Sequence, residues 1–192
     1  MNNISFITSI WRITIKVLFV PFKMFYAIIA PNSYARFIGV HLGKTSKIYG
    51  SSYSMFSTNP WLIQIGEHCH IVQKTVFLTH DGGTLVLRHI VPDLEITKPI
   101  ILGDYVYIGY GVLVLPGVVI GSNVVIGAGS VVTKNIPDNS VAVGVPAKVI
   151  KTIDEYLDKL KSESLHLGHL DGKSKDIELK KIYTTFSQKN DA

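Results

Sequence analysis

Three histidines of this chain stand where an imidazole could do chemistry: His68 and His70 flank the sole cysteine, Cys69, in the run GEHCH, and His80 stands in FLTHDGG. Near neutral pH an imidazole, with a reference pKa of about 6.5, can accept the proton of a hydroxyl as that hydroxyl attacks an electrophile. Asp81, Asp93 and Glu95 follow His80. Each could orient the ring or bind an acceptor, or simply be a solvated loop carboxylate. The GEHCH run invites a metal, since imidazole and thiolate both ligate zinc. A single cysteine excludes a disulfide framework and a cysteine-rich zinc site.

The elements that carry these residues repeat every six positions. Leu102, Ile108, Val114, Ile120, Ile126 and Val132 are all aliphatic, and Val106, Val112, Val118, Val124, Ser130 and Ile136 stand four residues after them. Side chains alternate along a strand, so Val106 and Ile108 point one way and Tyr107 the other. Glycine or a polar residue between such pairs permits a bend. Repetition then stacks short strands into parallel ladders around an aliphatic column, the signature of a hexapeptide β-helix. An antiparallel sandwich shares the alternation but does not need six unbroken hexads. A weaker block carries the period at Leu42, Ile48, Ile65, Ile71 and Phe77, and Asn59, Pro60 and Trp61 slip its register.

That register assigns directions. Cys69 falls on an inward place and His68 on an outward corner, so the GEHCH side chains do not converge and no metal is expected. His80 takes the outward fourth place of the hexad that starts at Phe77. From Gly82 to Pro99 the period vanishes, which predicts an excursion (82–99) from the coil, and loops of that length in compact domains are often functional.

The 47% hydrophobic and 17% charged content excludes disorder, and the length suits one main domain with appendages. The expected division is 1–35, an N-terminal amphipathic helical region; 36–150, the coil; and 151–192, a C-terminal helix and polar tail. Of the net charge of +5, the front end carries Arg12, Lys16, Lys23, Arg36, Lys44 and Lys47, with no acid before Glu67. Residues 4–30 are apolar, with Ser5, Ser9, Arg12, Lys16 and Lys23 on one helical stripe. Cations and Pro21 disfavour a spanning helix, and the same cations interrupt any signal peptide. Two readings remain: a helix lying on the inner membrane face of the cytoplasm, or one packed on its own oligomer. Basic residues mixed into a greasy segment do not suit nucleic acid. Thr152 and Glu155 form a capping-box pattern before Ile153, Tyr156, Leu157 and Leu160, which predicts a helix that closes the coil.

The run IGAGSVVTKNIPDNSVAVGVPAKVI, Ile126 to Ile150, resembles the closing segment of hexapeptide-repeat sugar O-acetyltransferases of the maltose, galactoside and nodulation type and their polysaccharide O-acetyltransferase relatives. The likeness covers about residues 36–152. It implies a left-handed parallel β-helix, a homotrimer, acetyl-CoA as donor and a saccharide acceptor. His80 matches the family's general base. Gly109, Tyr110, Gly111 and Ala128 match the positions beside the thioester and pantetheine arm, and Thr133, Lys134 and Lys148 those near the phosphates. Tyr110 replaces a small residue and Tyr107 a common tryptophan. The alternatives are N-acetylation of an amino sugar by the same coil, or a non-catalytic trimeric scaffold.

Overall fold

The hexad alternation becomes a three-sided coil. In the computed structural model, which describes residues 20–184, short parallel strands stack on three faces. The first face stacks His41–Leu42, Ile63–Ile65, Ile100–Leu102 and Val119–Ile120. Lys47–Ile48, His70–Ile71, Val106–Ile108, Val124–Ile126 and Ser140–Val143 make the second, and Val76–Phe77, Leu113–Val114 and Val131–Val132 the third. Ile101 pairs with Val119, Tyr107 with Val125 and Leu113 with Val131, each 18 positions on, so three hexads complete one turn. All twelve inward residues of the six unbroken hexads are buried, and the eleven aliphatic ones, all but Ser130, join one cluster that also takes in Leu42, Ile48, Ile65, Cys69, Ile71 and Phe77. Each such aliphatic contributes about 1.5 to 3 kcal/mol by leaving water.

The corner between the first and second faces explains the glycine that follows so many of the aliphatics. A Cβ on Gly66 would meet Gly103 O at 2.5 Å, and one on Gly103 would meet the Gly121 carbonyl carbon at 2.9 Å. Successive turns therefore touch backbone to backbone there. Beside this column runs a polar ladder. The Glu67 carboxylate accepts the Lys44 and Thr45 amides at 3.0 and 2.8 Å, Asp104 accepts the Glu67 amide at 2.7 Å, and Asp138 accepts the Ser122 amide at 2.7 Å. These bonds satisfy corner amides that no strand partner could reach. They also hold Glu67 down at about 2, chiefly through the Thr45 hydroxyl and the Thr45 and Lys44 amides.

Before the coil, α1 (helical over 20–29) leads to α2 (Pro31–Phe37), which begins on a proline and packs on the strands of the first turn. The amphipathic reading of residues 4–30 falls largely on 1–19, outside the described residues. Among the described residues no helix is long and apolar enough to cross a membrane. At the far end Lys148–Thr152 turns back antiparallel on Ser140–Val143, a return strand that the hexads did not announce.

The excursion leaves after Leu78 and carries the short helix α3 (Thr84–Leu87). Contacts divide the chain after Ile153 into two compact units. The second contains most of α4 (Ile153–Glu163) and all of α5 (Gly172–Ile182). Helix α5 lies where the sequence suggested only a polar tail, and it is laced by Lys180–Asp176 and Lys181–Glu178 ion pairs at 2.6 and 2.7 Å.

Candidate active site

The excursion is pinched shut at its base. Lys98 N donates to Thr79 O at 2.8 Å, Asp81 N donates to Ile96 O at 2.9 Å, and His80 bridges Thr97 in antiparallel sense. The outward hexad place of His80 thus becomes the foot of a hairpin, at the corner between the third and first faces. Buried Thr79 shares a 2.6 Å hydroxyl contact with Ser57. Thr58 then sets its hydroxyl 3.5 Å from His80 Nδ1 while donating to Asn59 Oδ1 at 3.1 Å. With its hydrogen given to Asn59, the Thr58 oxygen faces the ring as an acceptor. A His80 ring with its proton on Nδ1 would donate to that oxygen and keep its lone pair on Nε2, the tautomer a base at Nε2 needs. Hexad reasoning passed over Ser57, Thr58 and Asn59 because they occupy the register slip. The slip itself, next to a histidine that precedes an excursion, was the available signal.

The carboxylates after His80 serve the excursion. Asp81 accepts the Gly83 amide at 2.8 Å, which turns the chain into α3. Glu95 pairs with Arg88 and takes the Thr97 hydroxyl at 2.6 Å. Asp93 is exposed on the loop.

Thr133 and Lys134, both exposed, round the same corner as His80 two turns further on, as the Leu78–Val114 and Leu115–Val132 backbone bonds show. The other expected cofactor positions lie elsewhere. Tyr110 and Gly111 turn the corner between the second and third faces. Gly129 N donates to Tyr110 O at 2.8 Å, stacking the exposed Ala128 turn on that of Tyr110. Lys148 pairs with Val143 on the return strand. Gly109 is required for stacking, since a Cβ there would meet Ala128 N at 2.6 Å. Gly111 has φ +69 and open space around it. Lys74, one turn before Tyr110, holds its ammonium 5.2 Å from that ring's centre, and the Tyr110 hydroxyl keeps the ammonium above its ordinary pKa. The two groups of residues therefore line different edges of the prism, on either side of the third face. The six residue steps from Lys74 to His80 span at most about 20 Å.

The GEHCH side chains diverge. His68 stacks on Tyr105 at 4.7 Å, His70 takes the Tyr49 hydroxyl at 2.7 Å, and the buried Cys69 thiol points to Gly103 O at 3.2 Å. Burial pushes that thiol up, which makes it a poor nucleophile. Tyr107 faces out of the second face beside His70.

Comparison with known proteins agrees with the coil. Residues 99–134 match the bacterial transferase hexapeptide (six repeats) family. Protein CapG of Staphylococcus aureus is 42% identical over 144 residues, which cover 75% of this chain and 84% of CapG. Galactoside O-acetyltransferase of Lactococcus lactis is 38% identical over 132 residues, 66% of this chain and 60% of that protein. The enzyme of the same name from Escherichia coli K12 is 58% identical over 117 residues, 60% and 55% of the two chains. The chain thus spans less than two thirds of the galactoside enzymes and most of CapG. With its hexads, its three-faced parallel coil and this identity to CapG, the chain belongs to the hexapeptide-repeat acetyltransferase family and is an acyltransferase.

Proposed function

We propose that the protein transfers an acetyl group from acetyl-CoA to a hydroxyl of a saccharide, with His80 as general base. The observation that carries this reading is the Asn59–Thr58–His80 contact at the foot of the excursion, which suits the tautomer that keeps a lone pair on Nε2. The acceptor oxygen attacks the thioester carbonyl as Nε2 removes its proton, and the tetrahedral adduct collapses with expulsion of the thiolate, to which His80 returns the proton. No acyl-enzyme is needed, and the only thiol is buried. The names of the galactoside relatives support a saccharide acceptor.

Thr133 and Lys134 flank His80's edge, whereas Tyr110, Gly111, Ala128 and Lys148 line the other. A homotrimer resolves this separation, because a neighbouring copy sets its second edge against the His80 edge of the first. Lys134 and Lys148 then hold phosphates as compact charges, and Ala128 offers its backbone to the pantetheine arm. Residues 36–150 form the acyltransferase domain, with 1–35 and 151–192 as appendages, and acetyl-CoA as donor places the work in the cytoplasm.

The test is thiol release and product mass with acetyl-CoA and a panel of free, nucleotide-linked and lipid-linked sugars and their amino analogues. His80→Ala should lower turnover about 10²- to 10⁴-fold with acetyl-CoA still bound. Preference for the amino analogues would replace the hydroxyl acceptor with an amine. Equal turnover by His80→Ala would remove the base.

A further inference from the structure

Helix α1 turns one side to the protein and the other to solvent. Ala27 is fully buried, and its carbonyl accepts the Ser52 amide at 3.2 Å. Tyr26 meets Tyr34 edge-on at 5.8 Å and lies 5.9 Å from Phe37. Those contacts fix the roll of the helix. The opposite side carries Phe22, Phe25 and Ile29 at helical spacing, 60%, 65% and 67% exposed, with Met24 and Ile28 exposed beside them. Five large apolar side chains on one short helix face are a surface without a partner among the described residues.

The charge of α1 and of the first turn says what that partner is. Lys23 is exposed on α1, and Lys44 and Lys47 are exposed on the first turn, against which α2 packs. Arg36 fixes its guanidinium on the Leu42 and Gly43 carbonyls at 3.1 and 2.6 Å. No aspartate or glutamate occurs before Glu67, whose carboxylate is taken up by the Lys44 and Thr45 amides. An apolar face in a setting where lysines outnumber the single carboxylate, Glu67, suits a surface with acyl chains to receive rings and anionic headgroups to receive ammonium groups. A second copy of the same face would bring like charges together.

We propose that α1 lays Phe22, Phe25 and Ile29 into the interface of an anionic lipid bilayer, with Lys23 and the first-turn lysines on its headgroups. Turns of the coil stack about 4.8 Å apart, and His80 belongs to the second of them. An acceptor sugar carried on a lipid is then within reach of the base, a consequence that rests on the acetyl-transfer reading above. Three parallel copies would present three such faces in one direction and strengthen the attachment.

The experiment is sedimentation of the full chain with phosphatidylcholine vesicles, with and without phosphatidylglycerol, alongside light scattering and acetyl-CoA binding as checks of an intact assembly. Wild type should partition at least tenfold more strongly onto the phosphatidylglycerol vesicles, and less strongly as salt rises. Phe22→Ser with Phe25→Ser should cut that partition by at least tenfold, and Lys23→Glu alone should weaken it severalfold, with oligomer and acetyl-CoA binding unchanged. Failure of wild type to bind anionic vesicles, or binding indifferent to both variants, would overturn the proposal. A change of oligomeric state in the Phe variant, with no vesicle binding by wild type, would make the face a contact between copies. Vesicle binding without any acetyl transfer would leave the docking face standing and refute the acetyl-transfer reading.

Discussion

His80 shows what one histidine can and cannot reveal by its place in a sequence. Its outward position before an excursion was legible from the hexads and from the resemblance of the closing segment. Its relay partner was not, because Thr58 reaches it only after the chain has slipped register and completed a turn. Thr58→Val should therefore lower turnover roughly fivefold to tenfold, the worth of one hydrogen bond of about 1 kcal/mol, with the acceptor's KM unchanged. A steady-state comparison checks this, and a rise in KM alone would assign Thr58 to the acceptor. Gly109 makes a second residue-scale case. The resemblance places it beside the thioester, and the structure adds a packing reason for the missing Cβ, which would meet Ala128 of the next turn. Gly109→Ala should cost about 1 to 3 kcal/mol in denaturant unfolding, as overpacking does.

At the scale of elements, the hexad period foretold the strands because inward residues recur on a fixed phase and nearly all of them are aliphatic. The return strand Lys148–Thr152 was hidden, since its residues are largely exposed and pair across one edge only. Helix α5 was hidden too, because ion pairs rather than an apolar stripe mark its surface. The corner ladder adds a pH dependence. The folded state holds Glu67 at about 2, below its unfolded value near 4.5, so its contribution to stability is present above pH 4.5 and is lost as pH falls toward 2. Glu67→Gln should lower stability at neutral pH and flatten the acid limb between those values in denaturant titrations. A mutant limb as steep as wild type would show that other carboxylates carry the acid transition. In the core, Ile126→Ala should cost about 2 to 5 kcal/mol, because a stacked column cannot collapse around the cavity.

The whole molecule poses the problem that its parts do not. A single coil places His80 and the Tyr110–Ala128 turns on different edges, and a site assembled between copies resolves it. Two crippled chains can measure this directly: His80→Ala, which lacks the proposed base, and Ala128→Trp, which blocks the turn proposed to hold pantetheine. Each alone should be inactive in acetyl transfer while still assembling. Co-expressed, they form mixed trimers in which the intact His80 edge of one chain meets the intact Ala128 edge of another, and activity should return to about a quarter of wild type. Mixed assemblies as inactive as either parent would contradict a site shared between copies.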